Sequence, residues 1–381
     1  MQGDGVETIF RENFRSHGEV GASFSVWSSE GAVVDLFGGR RGSSLESPLW
    51  TRDTLCLIWS CSKILASVVL LDCLGERGLA LHEEVATIWP GFAENGKEKV
   101  TFAHVLGHQS GLCALDAPVP DMTEAEAVVT ALQKQRPFWQ PGEAHGYHAG
   151  TYGHLIDGCV RSLTGRSVQQ EWRERFAAPL KLNIFFGVPP ERSGDVAEVL
   201  APRGFSQQEH DKTFYAKLAD PQSLTARAFA SPGGKRTASA MNRPEARAAG
   251  FPSFGAFATA SSLAHWMAIL ANDGVWDGHR VVRWPEGMRE RLAEGPDLIF
   301  GSPTAYGPGW MLDPRDERGC KQRSLFGPEG GAFGQPGAGG VHCFADPVSR
   351  LGFAYVMNAM GPGLFPNERC LRLIQEFYAL A

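Results

Sequence analysis

No stretch of the 381-residue chain approaches the roughly 20 uninterrupted apolar residues that a membrane-spanning helix requires. The eight cysteines (56, 61, 73, 113, 159, 320, 343 and 370) form no Cys-x-x-Cys pair and are scattered through apolar stretches. That argues against a disulfide framework and for reduced, buried thiols. Long basic runs are also missing: the net charge of -6 comes from mixed signs, which leaves no electrostatic footprint for nucleic acid or an anionic membrane. A neutral or small substrate fits better. No Gly-x-Gly-x-x-Gly stands between a strand and a helix, so no nucleotide cofactor is expected. Gly-x-Ser-x-Gly is absent as well; Gly107-His108-Gln109-Ser110-Gly111 is displaced by one position and does not support an α/β-hydrolase nucleophile elbow. The start, Met1-Gln2-Gly3-Asp4-Gly5, has neither a basic n-region nor an apolar h-region, so a cytoplasmic protein is expected.

What is present is ordinary globular composition, 43% hydrophobic and 20% charged, in a chain long enough for one large composite domain or two intertwined ones. Val6, Ile9, Phe10 and Phe14 recur at helical spacing, and strand-like runs at 22–27 and 32–37 flank a polar turn. The far end mirrors this, with runs at 341–345 and 351–357 and a closing helix over 366–380. Hairpins and helices from opposite chain ends predict one antiparallel sheet with helices packed on it. Between them lie predicted helices over 60–77, 101–109, 151–163, 167–177 and 259–272, and a stretch at 203–256, rich in Gly, Pro, Ser and Lys/Arg, that reads as a long surface excursion. The expected architecture is an α/β domain built from 1–77 and 257–381, with a mostly helical insert over 78–256.

The run Trp59-Ser60-Cys61-Ser62-Lys63 opens the most apolar of these helices. A chain of this length contains on the order of one Ser-x-x-Lys by chance, so the tetrapeptide alone leaves two readings open. In one, Ser60 is a helix cap and Lys63 snorkels to solvent. In the other, residues three apart on a helix bring the Lys63 amine to the Ser60 hydroxyl. Burial would then lower the amine's proton affinity until it accepts the hydroxyl proton, and backbone N–H groups at the helix start would stabilise an oxyanion.

The segments that follow bear on this choice. They are Glu76-Arg77-Gly78-Leu79, Val105-Leu106-Gly107-His108-Gln109-Ser110-Gly111-Leu112, Pro141-Gly142 with Tyr147-His148-Ala149, and Phe333-Gly334-Gln335-Pro336-Gly337-Ala338-Gly339-Gly340. In this order they resemble the serine β-lactamase and penicillin-binding-protein superfamily, and within it the class C β-lactamase-like family VIII carboxylesterases. The resemblance spans most of residues 20–360. It implies a β-lactamase/transpeptidase-like fold, Ser60 as acyl-accepting nucleophile, Lys63 and Tyr147 as proton-transfer partners, and an oxyanion hole from the N–H groups of Ser60 and Ala338. Gln335 and Gly337 fall in the substrate-binding third motif. No cofactor is implied. Two departures narrow the expected substrate to small esters: Ala149 stands where the β-lactamases carry an asparagine that holds the substrate's amide side chain, and Gln335 where they carry a lysine for the lactam carboxylate. Acyl transfer, β-lactam or D-amino-acid peptide hydrolysis, and a silent scaffold are the alternatives.

Other features read more plainly. His104 and His108 are four apart but lack a third ligand, so no metal is expected. His145 and His148 flank Tyr147, where they either tune its proton affinity or sit on a surface loop, the second reading being favoured. Phe205, Phe214, Tyr215, Phe251, Phe254 and Phe257 suit either a lid over an acyl pocket or ordinary loop packing.

Overall fold

Strands that alternate between two buried faces need a layer on each side, and both chain ends supply them. The computed structural model describes residues 2–204, 208–328 and 330–379. Its main sheet contains β1 (Gly21–Ser28), β2 (Gly31–Gly39), β3 (Ala293–Pro296), β4 (Pro303–Gly307), β5 (Trp310–Leu312), β6 (Phe333–Pro336), β7 (His342–Asp346) and β8 (Leu351–Met357). All neighbours are antiparallel in the order β2-β1-β8-β7-β6-β5-β4-β3, so the N-terminal hairpin joins the C-terminal one through β1 and β8. On β8, Phe353 faces Phe377 of the closing helix, with ring centroids 5.2 Å apart. Its neighbour Gly352 faces the helix Ala260–Ala271, where a Cβ would stand 2.1 Å from Ala268 N. The helices Gln2–Ser16 and Glu368–Ala379 pack together, and buried Arg369 pairs with Glu19 at 3.0 Å.

The apolar run after Ser62 forms the helix Ser62–Arg77, closed by Gly78 in the left-handed conformation at φ 67. It packs against the helix Thr151–Thr164. Asp72, buried within it, accepts hydrogen bonds from Arg175 (2.9 Å) and Arg283 (2.8 Å), which ties the helix to both flanking segments. A short sheet of Cys56–Leu57, Ala256–Ala258 and Ile184–Phe186 fixes the chain just before Ser60.

The excursion is more ordered than its composition predicts. Helices form at Glu209–Ala219, Leu224–Ala230, Ala238–Met241 and Pro244–Ala249, and they bury Phe214, Ala228 and Met241. Ser223 and Thr237 cap two of them by accepting the N–H groups of Ala226 and Ala240, local signals that the Gly, Pro and charged residues obscured. Seven cysteines are buried free thiols, as expected; Cys320 is exposed. Among the described residues no helix is long and apolar enough to cross a membrane, and no cluster suits a metal.

Candidate active site

Ser60 does not cap the long helix. It sits in a 3-10 turn, Trp59–Cys61, that feeds the helix Ser62–Arg77. Trp59 holds φ at 46, a conformation uncommon for a bulky side chain. Several bonds hold this turn: Ile58 N–H donates to Ala256 O (2.9 Å), Ser62 Oγ to Trp59 O (2.6 Å) and Cys61 Sγ to Gln335 O (2.9 Å). Gly337 closes it from the β6 side, where a Cβ would lie 2.7 Å from Ile58 O.

Lys63 is 1% exposed. Its Nζ donates to Ala149 O and Ser253 O, both at 2.9 Å, and lies 3.4 Å from Ser60 Oγ. Burial, aided by the Arg236 cation, pushes its proton affinity well below the usual lysine range. With two N–H groups committed to carbonyls, the remaining position on a neutral amine is a lone pair facing Ser60. Tyr147 completes the group: it lines the same cavity as Ser60, and Lys63 Nζ stands 4.8 Å from its ring centroid. Burial raises the Tyr147 phenol, so it stays protonated.

Tyr147 is held by a residue that sequence reasoning missed. Asp297, 2% exposed, accepts the N–H groups of Tyr147 (3.2 Å), Ile299 (2.8 Å) and Phe300 (2.9 Å) on Oδ1, and the hydroxyls of Thr304 (3.0 Å) and Tyr306 (3.1 Å) on Oδ2. The Phe300 ring stacks on Tyr147 with centroids 4.7 Å apart. An isolated acid 150 residues from its partner leaves no local signal. The two carbonyls that hold Lys63 leave none either, because any residue type supplies one.

His145 and His148 prove to be buried rather than on a surface loop. His148 accepts Leu112 N–H on Nε2 (3.2 Å) and so donates from Nδ1 to Gly146 O (2.6 Å); burial lowers its proton affinity to about 4, consistent with that neutral form. His104 serves as part of a helix cap with Thr101. His108 packs its ring 5.1 Å from Tyr147, so the pair is divided between a cap and the site wall.

Above Ser60 lies a cavity of about 380 Å³ lined by Tyr147, Ala149, Gln335 and Ala338 and walled by aromatic side chains, among them Phe214, Tyr215 and Phe254. Phe251 and Phe257 are buried outside its wall, and Phe205 lies outside the described residues. Gln335 is buried with its amide on Pro336 O (3.2 Å). Gly337 packs beneath the turn instead of lining the cavity, and its N–H is bonded to Val341 O (2.7 Å). Arg236, unanticipated from the sequence, is the only charged residue among the described residues of the wall.

The family profile named Beta-lactamase matches residues 6–375, nearly the whole chain. The chain belongs to the beta-lactamase family. Among solved structures it is similar to a family VIII carboxylesterase, with 31% identity and a TM-score of 0.87 over 100% of this chain and 98% of that one. A penicillin-binding protein homolog from Caulobacter crescentus shares 32% identity at a TM-score of 0.85, over 99% and 97% of the two chains. The esterase/beta-lactamase LipL of Mycobacterium tuberculosis is 28% identical over 347 residues, 89% of this chain and 77% of LipL. This beta-lactamase family member is thus a serine hydrolase of the β-lactamase/transpeptidase-like fold, a mixed α/β architecture as expected.

Proposed function

We propose that the protein is a serine carboxylesterase that hydrolyses small carboxylic esters through an acyl-enzyme on Ser60. The observation that carries this reading is the setting of Lys63: a buried amine, held by two carbonyls, with its remaining valence directed at the Ser60 hydroxyl. Lys63 takes the hydroxyl proton as Oγ bonds to the ester carbonyl carbon. The oxyanion is received by the N–H groups of Ser60 and Ala338. As the ester C–O bond breaks, Tyr147 donates its proton to the departing alkoxide and recovers one from Lys63. Two environments that push proton affinities apart give two roles, base for the amine and donor for the phenol. Water then attacks the acyl carbon by the reverse sequence, releasing the acid and free Ser60.

An ester substrate is supported by the two relatives described as esterases and by a wall that carries Ala149 and neutral Gln335 beside the nucleophile. The test compares wild type, Ser60→Ala and Lys63→Met on p-nitrophenyl butyrate. Losses on the order of 10³-fold or more are expected for both variants; undiminished turnover in Ser60→Ala would place the chemistry elsewhere.

A further inference from the structure

Arg236 is a cation inside an aromatic cavity, and no Asp or Glu is among the described residues that line that cavity. Its guanidinium carbon lies 5.0 Å from the Phe254 ring centroid. One amino group bonds Phe229 O and the other Pro232 O at 2.6 Å. These two carbonyls orient the group but carry no full charge, and Asp121 offsets it only through space. Gly150 allows the approach: a Cβ there would stand 2.8 Å from Arg236 Nη2. The preceding residue, Ala149, presents only a methyl to the cavity while its carbonyl holds Lys63. The cation therefore stands beside the strip of backbone that positions the base, on a wall shared with Ser60.

A neutral acyl chain gains nothing from such a group, whereas an anion entering a low-dielectric pocket meets a cation that shares the cavity wall with no carboxylate among the described residues. The cation that the third motif lacks at Gln335 is thus present on a different wall. We propose that the acyl pocket selects esters whose acyl part carries a second, ionised carboxylate, which the Arg236 guanidinium holds while Ser60 attacks the ester carbonyl. The proposal rests on the reading of Ser60 as nucleophile, and it adds no step to the chemistry: the second carboxylate is bound and leaves unchanged with the diacid product.

The probes are mono-p-nitrophenyl adipate and p-nitrophenyl hexanoate, which share a six-carbon acyl chain and a leaving group and differ in the terminal carboxylate. Spontaneous hydrolysis is subtracted, and the ratio of kcat/KM for the two is read in wild type, Arg236→Gln and Arg236→Lys. Any effect of Arg236 on Lys63 acts on both esters and cancels in the ratio. Wild type is expected to favour the adipate, the ratio to fall on the order of 10-fold in Arg236→Gln, and Arg236→Lys to retain part of the preference. Wild type favouring the hexanoate, or a ratio unchanged by Arg236→Gln, would overturn the proposal and leave Arg236 a clamp on the Phe229 and Pro232 carbonyls. The wild-type preference needs no variant to fold. Turnover of both esters that survives Ser60→Ala would instead remove the nucleophile assignment.

Discussion

Asp297→Ala removes the acceptor of five hydrogen bonds at once, three from N–H groups on the Tyr147 and Phe300 segments and two from hydroxyls. The hydroxyls can turn to other partners; the N–H groups cannot. Each buried donor left unpaired costs about 1–3 kcal/mol, and water entering the vacated space recovers part of that. A stability loss of about 3–5 kcal/mol is therefore expected by urea denaturation. Asp297→Asn keeps an oxygen facing the N–H groups and lets its amide donate to the Thr304 and Tyr306 hydroxyls, so its cost is about 1 kcal/mol. The same geometry has a catalytic consequence, because Asp297 holds both the Tyr147 backbone and the N–H of Phe300, whose ring stacks on the phenol. If Asp297 acts through Tyr147, Asp297→Ala should lower kcat on the order of 10-fold in wild type and by less than about 2-fold in a Tyr147→Phe background. The assay is p-nitrophenyl butyrate hydrolysis at low temperature, with folding followed by circular dichroism. An equal fold-loss in the two backgrounds would refute the coupling and leave Asp297 a stabilising residue only.

Three further outcomes follow from the same geometry. With Lys63 as the proposed neutral base, kcat/KM should rise with pH along an acid limb whose midpoint lies well below the usual lysine range; Arg236→Gln removes a cation that disfavours the protonated amine, so this midpoint should move upward, and a downward shift would contradict the assignment. Gly352→Ala drives a Cβ into the backbone of the Ala260–Ala271 helix and should lower stability by about 1–3 kcal/mol in urea denaturation; an unchanged midpoint would contradict the packing. Gln335→Lys should raise kcat/KM for carboxylate-bearing β-lactams relative to neutral esters, and no change in that ratio would mean that Gln335 does not occupy the carboxylate-recognition position.

The paired chain ends were legible because strand-like runs flanking turn residues recur at both, and β1 joins β8 in the single antiparallel sheet that this suggests. The Ser60–Lys63 contact follows from helical spacing alone. Tyr147 needed the resemblance, since no local rule joins residue 147 to residue 60. The carbonyls of Ala149 and Ser253 and the carboxylate of Asp297 were invisible because their roles arise only when distant segments meet. His145 and His148 were misjudged for the same reason: flanking Gly and polar residues suggest a loop, and the walls that bury them come from elsewhere, with Thr304 bonding His145 at 2.9 Å and Ser110 bonding His148 at 2.9 Å. The helices between 209 and 249 are only 4–11 residues long, too short for periodicity to stand out against the Gly and Pro around them.

The central claim is that Ser60 carries the acyl group. Wild type is quenched in acid within its first turnovers on p-nitrophenyl butyrate, digested, and mapped by mass spectrometry, with a fluorophosphonate-treated sample alongside. The expected result is one added butyryl group, and one phosphonyl group, on the peptide containing Ser60, both lost in Ser60→Ala. Either label on another residue, or a label that persists in Ser60→Ala, would contradict it.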